Sequence, residues 1–158
     1  MARSPRTVTI PRGVTFALLV LVTAAIVLVT LQVAGKTYRK VDPRPFHDVM
    51  VLAERLQEGN LPFPVLVSLL MPVVLNVLLF VPWGFLLFIL FDHGDRYAIE
   101  SLVYIVLLAT AFSGAIEAIQ YFQPTRVTDV NDLIWNVSGA ILGALGGQLR
   151  RRVRFDFV

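Results

Sequence analysis

Glu117, Gln120, Arg126, Asp129, Asp132 and Asn136 fall within a window of 20 residues, inside a stretch from Ser113 to Gly147 that is otherwise apolar enough for a membrane interior. Each residue type offers chemistry. Asp129-x-x-Asp132 supplies two carboxylates at helical spacing, which suits a hard cation such as Mg²⁺. Glu117 is the candidate catalytic acid or base. Arg126 can hold a phosphate in a two-pronged grip, and the amides of Gln120 and Asn136 both donate and accept hydrogen bonds. A charged side chain at the centre of a bilayer costs ~2.5–3.5 kcal/mol on insertion scales, so acids and an arginine in such surroundings are functional candidates by default.

The elements that must position these groups follow from composition. Hydrophobic residues make up 56% of the 158-residue chain and charged residues 16%, with a mean hydropathy of +0.72. These values describe a chain whose solvent is the bilayer. The length fits one membrane domain over residues 1–158, stabilised by helices packing on one another. A formal charge of +3 invites a nucleic-acid reading, but the basic residues cluster at the termini and in one loop, flanking apolar runs. Membrane orientation accounts for them, and nucleic acid is not an expected partner. With no cysteine in the chain there is no disulfide, thiolate metal site or cysteine nucleophile.

Four apolar runs predict an all-α, four-transmembrane-helix bundle with spans at about 13–35, 73–91, 98–122 and 129–149. The first run continues for about 20 residues, longer than the apolar core of a secretory signal, and reads as a retained helix. Between the first two spans lies a polar segment, Lys36 to Asn60. Within it, Phe46, Val49, Met50, Ala53 and Leu56 recur at steps of three and four, predicting an amphipathic helix on the membrane surface. His47 on such a helix reads as a solvated side chain. Pro62, Pro64 and Pro72 interrupt the uncharged run from Leu61 to Phe91, so the part before Pro72 reads as an interfacial or re-entrant lead-in to the second span.

An even number of spans puts both termini on one side. Three basic residues precede the first span, Arg96 sits in the next loop on that side and four lie in the tail, giving eight against six on the opposite side. This balance favours cytoplasmic termini. Asn76, Glu117, Gln120, Asp129, Asp132 and Asn136 then all reach the outer end. Glu117 and Gln120 share a helix face, and Asp129, Asp132, Asn136, Gly139, Gly143 and Gly146 form one stripe at steps of three and four. The glycines, including a Gly139-x-x-x-Gly143 pair, predict close packing of the last span against the second or third.

These same residues resemble the VanZ-like family: Asn76-Val-Leu-Leu-Phe80-Val-Pro82-Trp-Gly84, then Glu117-x-x-Gln120, Arg126-x-x-Asp129, Asp132, Asn136 and Gly139. Trp83 departs from the slim aliphatic residue common at that place. The resemblance implies a small bacterial integral membrane protein of the plasma membrane, in a family whose name-giving member is linked to teicoplanin resistance. Expected partners are membrane lipids and a lipid-linked envelope precursor or glycopeptide.

Three readings of the cluster stay open at the level of sequence. It could lock the helices together, with Asp129 as a helix cap and Arg126 neutralising an acid. It could bind or translocate an envelope lipid head, with three carboxylates favouring a cation-assisted or hydroxyl-rich partner over a bare anion. Or Glu117 with Mg²⁺ on Asp129 and Asp132 could act on a lipid-linked phosphate or sugar. The charge balance generates a test of topology. Single cysteines at Ser4 and Gln57, probed with an impermeant thiol reagent on intact cells, should label at Gln57 alone; labelling at Ser4 alone reverses the orientation.

Overall fold

The computed structural model describes residues 11–32, 41–59, 61–91, 98–123 and 127–152. Four long helices dominate: α1 (Arg12–Thr30), α3 (Phe63–Phe91), α4 (Ala98–Tyr121) and α5 (Val130–Arg152). A short helix, α2 (His47–Gln57), lies between α1 and α3. A two-residue pairing joins β1 (Val41–Asp42) to β2 (Thr128–Asp129). This parallel pairing lies outside the all-α expectation, and it has no signature in local sequence because its partners are 87 positions apart.

α1, α3 and α4 are each long and apolar enough to cross a membrane. α5 is 23 residues long, a sufficient length for a span, but Asn131, Asp132, Asn136, Gln148 and its terminal arginines dilute its apolar character. Residues 63–72 are the first turns of α3 rather than a separate segment. α3 runs unbroken for 29 residues with Pro72 and Pro82 inside it. A proline removes one backbone donor, here leaving the carbonyls of Ser68 and Leu78 without their usual partners. A full break would strand several backbone groups in a medium without water, so continuing the helix is the lesser cost. At 1.5 Å per residue α3 is roughly 44 Å long, against about 30 Å of hydrocarbon. Its surplus belongs in the interfacial layers.

α3 and α5 run parallel at backbone contact. A Cβ added to Gly143 would land on the Val81 carbonyl oxygen, one on Gly139 on the Val77 carbonyl, and one on Gly84 on Ala140. Gly147, in turn, faces the ring of Phe88. The contact therefore follows steps of four, Gly139, Gly143 and Gly147, as expected where the i+4 rows of two helices mesh. Gly146, placed in the stripe by the sequence pattern, is exposed, and a Cβ there would make only an ordinary contact with Phe85 at 3.8 Å.

The core fills the space beside this pair. Phe80, Leu87 and Phe88 of α3, Ile105, Ala109 and Ile116 of α4, Ala140 and Ala144 of α5 and Ile26 of α1 are buried together. Trp83 is 6% exposed, stacks on Phe112 with ring centroids 5.4 Å apart and donates its indole N–H to Thr23 Oγ1 at 3.0 Å. Thr23 passes a hydrogen bond to the Leu19 carbonyl at 2.8 Å. Trp83 thus fastens α3 to α1 with its polar atom satisfied.

The glycine contact sets the expectation for substitution. Gly143→Leu should disrupt the α3–α5 pair and lower the yield of folded protein, and even Gly143→Ala should cost about 1–3 kcal/mol through overpacking. Gly146→Ala should leave thermal unfolding in detergent near that of the unmodified protein. Equal losses at both positions would contradict the contact described.

Candidate functional site

Helix direction collects the polar residues. α4 runs back past α5, and α1 runs back past α3, so the C-terminal ends of α1 and α4 meet the N-terminal parts of α3 and α5. Asn76 Nδ2 on α3 donates to Asp132 Oδ1 on α5 at 2.5 Å. Asn136, one turn further along α5, donates from Nδ2 to Ser113 Oγ on α4 at 2.9 Å. Gln120 Nε2 on α4 donates to the Thr30 carbonyl at the end of α1 at 2.7 Å. Glu117, 8% exposed, accepts the backbone N–H of Asp129 at 3.1 Å through Oε2. All four long helices therefore contribute to one polar end.

A strap closes over that end. In the β1–β2 pairing Asp42 lies directly beside Asp129. Asp42 is held by Arg44, whose guanidinium reaches its two carboxylate oxygens at 3.0 and 2.8 Å; this pairing raises the pKa of the exposed Arg44. Asp129 caps α5, its Oδ1 accepting the backbone N–H of Asn131 at 2.8 Å. Asn131, 2% exposed, is the knot. Its Nδ2 donates to the Arg44 carbonyl at 3.1 Å and to Asp129 Oδ1 at 2.8 Å, while its Oδ1 accepts the backbone N–H of Phe46. Phe46 has a left-handed backbone, φ 57°, a conformation that costs roughly 1–2 kcal/mol outside glycine. The bond to Asn131 and an edge contact with Trp135, centroids 5.9 Å apart, hold it there.

Asn76, Glu117, Gln120, Asp132 and Asn136 thus lie along the helix seams, and Asp129 sits in the strap above them. Arg126 lies outside the described residues. Asp129 and Asp132, the candidate Mg²⁺ ligands, bond to different elements, Asp129 within the strap and Asp132 across to α3. The described residues hold no group of three or more His, Cys, Asp or Glu arranged for a metal ion. Sequence reasoning missed Ser113, although its position one turn before Glu117 puts it on the same face. It also missed Asn131 and Asp42. Asn131 stands between two acids already singled out, but its partners lie some 85 positions away and leave no local trace.

The VanZ/LLP1 family model matches residues 15–150, most of the chain and all of this site. The chain belongs to the VanZ/LLP1 family. No curated protein and no solved structure matches it. Within this VanZ/LLP1 chain, the two blocks that carry the resemblance meet in space: Asn76 to Gly84 is the part of α3 that lies against Asp132 to Gly143.

Asp48, in the first turn of α2, adds a titratable group outside the spans. Partial burial pushes its pKa above the ordinary aspartate value, and the negative charges of Asp129 and Asp42 push the same way, against an opposing pull from His47. The folded carboxyl therefore holds its proton more tightly than the unfolded one, so the fold gains stability as pH falls through the raised value and carries the full penalty above it. Asp48→Asn should raise the unfolding temperature at neutral pH. The advantage should shrink on acidification and vanish below the ordinary carboxylate range, about pH 4; a pH-independent difference would contradict this origin.

Proposed function

We propose that this VanZ/LLP1 protein is a four-pass protein of the bacterial plasma membrane with both termini cytoplasmic. Its polar end binds or translocates a cell-envelope lipid or lipid-linked glycopolymer at the outer leaflet, the layer in which glycopeptide antibiotics act. The observation that supports a binding site over helix-packing glue is incomplete hydrogen bonding. Gln120 and Asn136 are buried on both sides of Glu117, yet the side-chain oxygen of each has no partner. An unmatched buried acceptor costs roughly 1–3 kcal/mol, an expense that a cluster selected only to hold helices together would shed through apolar replacements.

Asn76, Glu117, Gln120, Asp132 and Asn136 form the binding surface in this reading, with Asp129 beside it and Arg126, three positions before Asp129 in the sequence, as the candidate cation. Direct action on a glycopeptide such as teicoplanin is the variant of the same proposal in which the antibiotic is the ligand. In this reading the strap of residues 41–46 faces the aqueous side and the ligand approaches along the helices from the lipid. Glu117→Gln, Arg126→Gln and Asp132→Asn should each abolish an envelope phenotype, measured as altered glycopeptide susceptibility. Expression and unfolding temperature should stay close to those of the unmodified protein. Loss of phenotype in step with loss of stability across the three variants would reduce the cluster to packing.

A further inference from the structure

The hydrogen-bond inventory of this end has a direction. Gln120, 4% exposed, directs its amide nitrogen at a backbone carbonyl, that of Thr30. A carbonyl oxygen only accepts, so this amide is fixed with Nε2 inward and its Oε1 left without a partner. Asn136, 1% exposed, bonds the Ser113 hydroxyl through Nδ2 with Oδ1 unmatched; a hydroxyl can serve either end of an amide, so the direction of the seam is set by Gln120. Among the described residues every buried polar side chain is an acid, an amide or a hydroxyl, and none is a lysine or arginine. The clearest opening is therefore an acceptor, the Gln120 oxygen, which has no donor among the described residues.

The same seam is closed by side chains rather than by backbone contact. α5 is locked to α3 through glycines at backbone distance, but α4 approaches α5 without such a lock. A Cβ on Gly114 of α4 would meet only the Leu133 side chain, at 3.8 Å. Polar bonds, Ser113 to Asn136 and Glu117 to the Asp129 amide, hold α4 in place at this end. Ser113, Glu117 and Gln120 follow each other at helical spacing along about 10 Å of α4. In the closed arrangement the two free oxygens are sealed from solvent. A ligand that reached them would have to replace the bonds of α4 to Asn136 and to the Asp129 amide.

We infer that this α4 seam, from Asn136 to Gln120, receives the hydrogen-bond-donating part of a lipid head, an ammonium or sugar hydroxyl, in preference to a phosphate. The inference rests on the binding reading above and specifies its ligand. A phosphate oxygen brings further acceptors and negative charge beside Glu117. An ammonium or hydroxyl brings the N–H or O–H that the amide oxygens lack.

The test compares lipids that differ in donors. The full-length protein, purified in a phosphocholine-headed detergent that carries no donor, is titrated with dioctanoyl forms of four lipids while the thermal unfolding midpoint is followed. Phosphatidylethanolamine and phosphatidylcholine share a phosphate but only the former has N–H groups. A glucosyl diacylglycerol offers hydroxyls without phosphate, and phosphatidylmethanol offers phosphate without either. Phosphatidylethanolamine, the glucosyl lipid or both should bind about tenfold or more tightly than phosphatidylcholine, and whichever does so identifies ammonium or hydroxyl as the source. Gln120→Lys keeps a donor for the Thr30 carbonyl but removes the acceptor, so it should erase the preference. Equal binding of all four lipids, strongest binding of phosphatidylmethanol or an unchanged preference in Gln120→Lys would each overturn the donor inference while leaving a lipid site standing. Binding of none would overturn the binding reading as well.

Discussion

Backbone contact between α3 and α5 is the constraint on which the rest of the structure depends. With the Val77 and Val81 carbonyls lying against Gly139 and Gly143, these helices are fixed in depth as well as direction. In a bilayer, apolar side chains gain nothing by leaving lipid for protein, so dispersion between closely approaching backbones is a principal source of association. Fixing α5 against α3 places Asp132 opposite Asn76 at one end and Gly147 opposite Phe88 at the other. The connection through α4 must then run the opposite way, which returns Glu117 and Gln120 to the end where α5 begins.

Much of this arrangement was legible in the sequence because membrane helices carry their constraints locally. The apolar runs located α1, α3 and α4, and i, i+4 spacing grouped Glu117 with Gln120 and Asp132 with Asn136. The continuity of α3 was not legible from its prolines. Proline's effect depends on the medium, and without water to satisfy freed carbonyls an unbroken helix is the better solution. The exchange of Gly146 for Gly147 has a similar source. A stripe at steps of three and four assumes one geometry of crossing, whereas glycines at backbone distance favour steps of four, and only the partner helix decides between them.

The strap illustrates the remaining limit of local pattern. Asp42, Arg44 and Phe46 are joined to Asp129 and Asn131 by bonds whose members are separated by most of the chain. Nothing in Val41–Asp42 alone signals a strand, since two residues carry no periodicity. The pairing follows from closure: the polar segment after α1 must return to α3, and its unpaired backbone groups find partners at the start of α5. Asn131 suits this place because one amide serves a backbone N–H and a backbone carbonyl at once. An aspartate there would lack the donor for Arg44, and a leucine would lack both functions.

The contrast between strap and seam separates positioning from recognition. In the strap, both ends of the Asn131 amide are satisfied, and the left-handed Phe46 is stabilised by the bond it makes. That is how a buried amide behaves when its task is to hold a chain. Gln120 and Asn136 are at least as deeply enclosed as many core residues, yet each uses only its nitrogen within the protein. Since the same chain satisfies one buried amide fully and leaves two others half-satisfied, depth alone does not account for the difference. What distinguishes them is location: Asn131 ties the strap to the rigid α5, whereas the unmatched oxygens lie where α4 and α1 meet the pair that the glycines have locked. α4 shares the apolar core through Ile105, Ala109 and Ile116, but at this end its hold on α5 includes polar bonds that a ligand's own polar groups can replace, whereas the backbone contacts of α3 with α5 have no such substitute.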